Sequence, residues 1–265
     1  MPELAEVEVA RQNLARWWQD KAATEVHILD ARLLVATDPE ALVETLQHPL
    51  TTMRRRGKYL IAEFTNDHAI VFHFRMTGKI VLSPIESARF ARLAWHIPET
   101  GWLIFKDQRR FAHLQLFAPN TLKDYAPLAK MGPEPHDLTP EILGQRLAKP
   151  RLLKAALLDQ ATVAGIGNIA ISEVFWRTKI APDANTSDLT DAQIEALATD
   201  LPAYFDEVIE KSMADEIIYL EERSAENIFE VYARENDPCP RCTTPIVRTR
   251  IAARSTFYCP HCQAI

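Results

Sequence analysis

Four cysteines stand in the last twenty-seven residues as Cys239-Pro-Arg-Cys242 and Cys259-Pro-His-Cys262, two C-x2-C pairs with sixteen residues between them. Each pair can present two thiolates from one tight turn. Two such turns joined by a short hairpin complete the tetrahedral four-sulfur shell of a closed Zn2+ site. Two disulfides are the alternative, but nothing else in the chain suggests secretion. A closed shell offers no position to a reactant, so the one zinc is expected to be structural and catalysis is sought elsewhere.

The N-terminus carries different chemistry. Pro2 is followed by Glu3 and Glu6, and removal of Met1 leaves a secondary amine. An α-amino group titrates near ~7.7–8.0, so a useful fraction is neutral and nucleophilic at physiological pH. Its attack on an aldehyde-level carbon gives an iminium, an electron sink for elimination, with Glu3 placed to shuttle a proton. The plain alternative is a proline sitting comfortably ahead of a helix. A third candidate is Thr162-Val-Ala-Gly-Ile-Gly-Asn-Ile169. Its glycines let the backbone approach a phosphate, with Asn168 as a side-chain donor and a helix dipole behind it. A helix-capping glycine plus a packing glycine fits the same letters.

These residues need elements to hold them. Leu4, Val7, Leu14 and Trp17 recur at helical spacing, so residues 3–18 are expected to form an amphipathic helix. From 23 to 118 the runs ATEVHIL, YLIAEF, AIVFHF, KIVLS, ARLAWHI, WLIFK and AHLQLF read as strands. Turns at 65–67 and 99–101 join some of them into hairpins of an antiparallel sandwich or barrel. Met131-Gly-Pro-Glu-Pro-His-Asp137 reads as a linker, and helical patterns follow to about residue 228, one opening at Thr139-Pro140. The expectation is an α+β chain in three parts: a β-sandwich domain with its N-terminal helix over 1–130, a helical domain over 131–228 and a zinc ribbon over 229–265.

Composition sets the outer bounds. The 265 residues are 47% hydrophobic and 25% charged, an ordinary globular balance. No apolar run reaches eighteen residues and the N-terminus is acidic, which points to a cytoplasmic protein without membrane spans. The net charge of −6 is unevenly spread. Residues 239–265 hold four arginines and no acid, leaving the remainder at −10. Arg54-Arg55-Arg56-Gly57-Lys58 and Arg109-Arg110 are further basic clusters, either phosphate-binding patches or solvated faces.

Taken in order, Pro2-Glu-Leu-Ala-Glu-Val-Glu8, Arg55-Arg-Gly-Lys-Tyr-Leu60, His73-Phe-Arg-Met-Thr-Gly78, Asp107-Gln-Arg-Arg-Phe111, Gly132-Pro-Glu-Pro135, Gly165-Ile-Gly-Asn-Ile169 and the cysteine ribbon resemble the formamidopyrimidine-DNA glycosylase and endonuclease VIII family. The Glu-Leu after Pro2 and Arg254-Ser-Thr-Phe-Tyr-Cys259 look more like the formamidopyrimidine branch. The resemblance implies a monomeric base-excision repair enzyme, nucleoid-associated in a bacterium, that binds damaged double-stranded DNA, flips out an oxidised base, excises it and nicks the strand by β,δ-elimination. It implies Pro2 as nucleophile on C1′, Glu3 as proton shuttle, Glu6 in support, and Lys58 on a phosphate and in elimination.

By the same resemblance Met76, Arg109 and Phe111 fill the space the base vacates, and Arg110 pairs within the protein or to phosphate. Lys149, Arg151, Lys154 and Asn168 become backbone-phosphate contacts on a helix-two-turn-helix element. Arg254, between the cysteine pairs, binds phosphate and assists the second elimination, and Tyr232 is a further phosphate contact. The chain departs from the family at Ala5, where proline is usual, at Ala170, usually aromatic, and near Phe90, where a histidine is often found and Arg92 can substitute. The segment 211–227 lacks the family's Gly-Gly-Thr-Thr and is expected to be helical. That leaves oxidised purines as first choice and oxidised pyrimidines, hydantoins or bulky adducts open. A damaged-DNA-binding protein without catalysis and a zinc-ribbon accessory protein of transcription are the rival readings. A retained Met1, which turns the Pro2 nitrogen into an unreactive amide, marks the first; the second has no need of Pro2, Lys58 or Phe111.

Overall fold

Helix α1 (Leu4–Trp18) starts where the apolar spacing does, and Leu4, Val7, Leu14 and Trp18 are all fully buried on it. The computed structural model describes residues 2–87, 89–214, 216 and 226–263. They fall into two units, Met1–Ala129 with Ser212–Ala225, and Lys130–Lys211 with Glu226–Ile265.

In the first unit α1 is followed by β1 (Glu25–Ile28), α2 (Pro39–Leu46), β2 (Leu50–Arg56), β3 (Tyr59–Phe64), β4 (Ala69–His73), β5 (Lys79–Leu82), β6 (Ala91–Ile97), β7 (Gly101–Lys106), β8 (His113–Phe117) and the short α3 (Ala126–Ala129). The strands form two antiparallel sheets, β1-β6-β7-β5 and β2-β3-β4-β8. Phe72 of β4 stacks on Trp95 of β6 and Phe105 of β7, with ring centroids 6.5 and 6.1 Å apart, so the sheets bury their apolar faces against each other as the sandwich reading expects. β3 and β4 are apolar on both faces because Leu122, Tyr125 and Leu128 cover Ile61, Val71 and Phe117 from outside. Both anticipated hairpin turns form, with Asp67, Glu99 and Gly101 at positive φ.

Besides the short α3, the sequence reading missed α2 and β2. α2 starts at Asp38, whose carboxylate accepts from the Ala41 N–H, with Pro39 in the first turn. β2 is built from the run Leu-Thr-Thr-Met-Arg-Arg-Arg, and only Leu50 and Met53 are buried in it. A two-residue turn, Gly57-Lys58, joins it to β3, since Arg56 pairs with Tyr59. Gly57 takes φ +53, the left-handed value such a hairpin turn demands.

The second unit contains α4 (Pro140–Leu147), α5 (Leu153–Leu158), α6 (Asn168–Thr178), α7 (Asp191–Ser212) and the hairpin β9 (Val247–Ile251) and β10 (Arg254–Tyr258). Thr139 caps α4 through the Ile142 N–H, as its sequence anticipates. Trp176 of α6, Val231, Ile246, Phe257 and the buried Cys239 and Cys259 share one apolar cluster, so helices and ribbon fold around a common core. The expected linker at 131–137 is tied down. Gly132 N–H donates to Gln160 O, Ala164 N–H donates to Pro133 O, and a Cβ on Gly132 would meet Thr162 O at 2.5 Å. The helix expected over the acidic 211–227 segment stops at Ser212; Met213, Ala214, Glu216 and Asn227 are not helical, and the rest of that expectation lies outside the described residues.

Candidate functional site

Pro2 and Glu3 are buried directly ahead of α1, with Glu3 3% exposed at its N-cap. The Glu3 N–H donates to Glu6 Oε2 at 2.8 Å, so the side chain one turn along braces the backbone next to Pro2. Burial lifts the Glu6 carboxyl above its usual range, and the neighbouring Glu3 charge adds to the effect. The arrangement sets an amine precursor, one carboxyl for proton transfer and a second, raised carboxyl within one helical turn.

The basic run after Met53 is mostly structural. Arg54 pairs with Glu63 at 2.8 Å, and Arg55, 12% exposed, meets Glu8 Oε2 at 3.1 Å. Burial would raise the Glu8 carboxyl, but hydrogen bonds from Arg11 and Gln12 and the charge of Arg55 hold it low. Lys58 rides the tip of the β2–β3 turn. Nearby, His73 of β4 stacks on His113 of β8 with centroids 5.3 Å apart, and Tyr59 meets His73 edge-on at 4.5 Å. Burial, with the charges of Arg75 and Lys58, pushes the His73 imidazole down to about 3. It is therefore neutral, and its Nδ1 accepts the Arg75 N–H at 3.0 Å, which leaves the proton on Nε2.

Phe111 is 53% exposed, with the Arg109 guanidinium over its ring at 4.8 Å. Met76 is half-buried. An exposed aromatic beside a cation suits a wedge better than a core. Arg110 takes φ +59 and reaches Asp30 at 3.5 Å, so it pairs within the protein.

In the second unit the expected phosphate contacts divide. Lys149 and Arg254 are exposed. Arg254 begins β10 just after Ala252 and Ala253, both at positive φ, which form the tight tip of the ribbon hairpin. Arg151 donates to Thr162 Oγ1 at 2.7 Å and pairs with Asp159 at 3.2 Å. Lys154 corrects the sequence reading: it is fully buried, and its ammonium donates to Thr256 Oγ1 at 2.6 Å, because it lies on the inner face of α5 against the ribbon. Asn168, 8% exposed at the start of α6, donates from Nδ2 to Ser255 O at 2.9 Å, so its amide nitrogen too is bonded to β10. Gly165 takes φ +81 and its N–H donates to Gln160 Oε1, a structural use of that glycine.

Tyr232 is half-buried, its ring edge-on to Phe257 at 5.0 Å. A residue the sequence reading missed holds it there. Glu173 of α6 is 1% exposed, and its carboxylate accepts the N–H groups of Glu230, Val231 and Tyr232 at 2.8–3.0 Å. Burial raises its pKa against the pull of those three bonds. The available signal was an acid inside the apolar run Ile169–Trp176.

The four sulfurs of Cys239, Cys242, Cys259 and Cys262 all lie within 4.8 Å of one another. Separations such as 3.4 Å for Cys242–Cys259 and 3.9 Å for Cys239–Cys262 are far above the ~2.05 Å of a disulfide. Four soft donors converging on one point fit a single structural Zn2+. Trp176 Nε1 donates to Cys239 Sγ at 3.4 Å, and Arg241 lies 3.9 Å over the Trp176 ring, which ties the cluster to α6.

Residues 1–114 match the formamidopyrimidine-DNA glycosylase N-terminal domain, 131–218 the formamidopyrimidine-DNA glycosylase H2TH domain and 236–265 a zinc finger found in FPG and IleRS. The chain belongs to the formamidopyrimidine-DNA glycosylase family. A formamidopyrimidine-DNA glycosylase of Pediococcus pentosaceus is 35% identical over the full length of both chains, and that of Ligilactobacillus salivarius is 32% identical over 100% of this chain and 99% of its own. Among solved structures, a Lactococcus lactis FPG mutant with Fapy-dG-containing DNA matches at TM-score 0.89 and 31% identity, covering both chains completely. The Lactococcus lactis Fpg with abasic-site DNA matches at TM-score 0.88 and 30% identity over 99% of this chain and 100% of its own.

Proposed function

We propose that this chain removes oxidised bases from double-stranded DNA through an N-terminal proline Schiff base and then opens the strand by β,δ-elimination. It is a DNA glycosylase with AP lyase activity, acting in base excision repair and carrying one structural zinc. The observation that carries the mechanism is the buried Pro2-Glu3 step, with Glu6 bonded to the Glu3 backbone. Freed of Met1, the Pro2 nitrogen attacks C1′ of the extruded nucleotide as the base leaves, and the resulting iminium acidifies the adjacent sugar protons. Glu3 moves those protons, and Glu6 keeps Glu3 oriented. Lys58 holds a phosphate. Met76, Arg109 and Phe111 occupy the vacated stack, Arg109 toward the orphaned base. Arg254, Lys149, Arg151 and Tyr232 meet backbone phosphates, while Asn168 and Lys154 fix β10 and act mainly through it.

The division of labour follows 1–130 for chemistry, 131–228 for the helical DNA grip and 229–265 for the zinc ribbon. No described helix is long and apolar enough to cross a membrane. Formamidopyrimidines and 8-oxoguanine are the first substrates, supported by the likeness to the Lactococcus lactis complex with Fapy-dG-containing DNA. A widened range has its own support. The 211–227 segment lacks Gly-Gly-Thr-Thr, and another Lactococcus lactis structure is of a complex with oxidised-pyrimidine DNA. Duplexes identical except for one 8-oxoguanine, formamidopyrimidine, oxidised pyrimidine or hydantoin test both readings. The first expects the purine lesions to be cut fastest, leaving 3′-phosphate ends; faster cutting of the pyrimidine favours the second, and no cutting of any overturns both.

A further inference from the structure

Two loops carry the void-filling residues, Phe74–Gly78 with Met76 and Asp107–Ala112 with Arg109 and Phe111, and the Thr77 side chain bonds one to the other. The Thr77 hydroxyl donates to Asp107 Oδ1 and at the same time accepts the Arg109 N–H at 3.1 Å. Asp107 is 1% exposed, and its carboxylate also accepts the N–H groups of Arg109 at 3.2 Å and Ala112 at 2.8 Å. Thr77 is thus bonded to Asp107 and Arg109 at the start of that loop, Asp107 spans from there to Ala112, and Thr77 is the immediate neighbour of Met76.

Independent packing evidence joins the same loops. A Cβ on Gly78 would meet Phe74 O at 2.6 Å and Ala112 Cβ at 2.9 Å, so the loops touch at a position where any side chain would force them apart. Arg75, just before Met76, sits at φ +55, and Arg110, between Arg109 and Phe111, at φ +59. Both loops therefore hold a non-glycine residue in the left-handed region right beside the residue that enters DNA. Such backbone persists only where its surroundings over-determine it. The 107–112 loop is also anchored from behind, by Arg92 Nε on Asp107 O at 2.9 Å.

We propose that Thr77 is a positioning residue that couples the Met76 loop to the Arg109–Phe111 loop, so that filler and wedge enter the duplex as one rigid probe. The proposal rests on the assignment of those three residues as DNA-probing groups. A probe of fixed internal spacing reads a stack for a base that yields to extrusion. Two independent loops would each insert alone, and Phe111 could wedge without Met76 following.

Thr77→Val keeps the shape and removes the hydroxyl; Thr77→Ser keeps the hydroxyl. The zinc-loaded full chain and both variants are compared on an 8-oxoguanine duplex, on the same duplex with a preformed abasic site, and by stopped-flow fluorescence of 2-aminopurine placed next to the lesion. Losing a bond to a charged, buried acceptor should slow 8-oxoguanine excision and the fluorescence rise by about tenfold or more. Abasic-site nicking, with no base to extrude, should stay within about twofold, and Thr77→Ser should restore both rates. An equal loss on both DNA substrates marks a merely structural role and overturns the coupling, as does no loss at all. Should the unaltered protein cut neither DNA, the glycosylase reading fails by itself. The fluorescence arm still decides the coupling, because wedge insertion needs binding and no chemistry.

Discussion

The roles proposed for Pro2, Glu3 and Glu6 are legible from sequence because they depend on adjacency along the chain. His73 was legible only as a letter of a quoted run, because its state is set mainly by burial, which the sequence does not spell out, beside the charge of Arg75. Its depressed pKa, about 3 against an ordinary ~6.5, has a stability consequence. Between those values the unfolded chain binds the proton that folded His73 refuses. Stability from this site is therefore full above about pH 6.5 and lost as pH falls toward about 3. His113, whose pKa burial also lowers, acts in the same direction. The melting temperature should decline through that window and decline less in His73→Gln, measured by thermal denaturation at pH 7, 6, 5 and 4; parallel declines would remove His73 as a cause.

At the scale of elements, apolar periodicity located α1 and most of the sandwich, and it failed where polar residues form the element. β2 shows the failure: with two buried side chains in seven residues and three arginines, it reads as a charge cluster, and only pairing with β3 makes it a strand. Lys154 was misread for a related reason. The resemblance placed this cation on a DNA-binding element and so suggested phosphate, whereas its place on the inner face of α5 turns the ammonium toward Thr256. The ribbon tip is a third case, since Ala252-Ala253 carries none of the usual Asn-Gly signal although both residues take φ above +50. That backbone costs on the order of 1 kcal/mol for each alanine. Replacing the pair by Asn-Gly should stabilise the zinc-bound chain by about 1–2 kcal/mol in urea unfolding, with Arg254 still at the start of β10. An unchanged midpoint would show that the strain is relieved elsewhere.

For the molecule as a whole, cysteine spacing announced the metal, but the reason for the metal is visible only in three dimensions. The sulfurs share a core with Trp176 and Phe257, and β10 is bonded to Asn168 and Lys154. Chelating the zinc should therefore release the ribbon hairpin and loosen its bonds to Lys154 of α5 and Asn168 of α6 together. DNA binding in gel shift should fall by more than about tenfold while near-neutral circular dichroism of the sandwich strands persists, and zinc should restore binding. Retained affinity in the metal-free chain would separate the ribbon from the DNA grip. The chemistry proposed at Pro2 has one direct signature. Borohydride added during reaction with abasic-site or lesion DNA reduces only an iminium to a stable cross-link. The account expects a protein–DNA adduct whose modified peptide begins at Pro2 and which disappears when Met1 is retained. A cross-link on a lysine, or strand cleavage without any adduct, would contradict it.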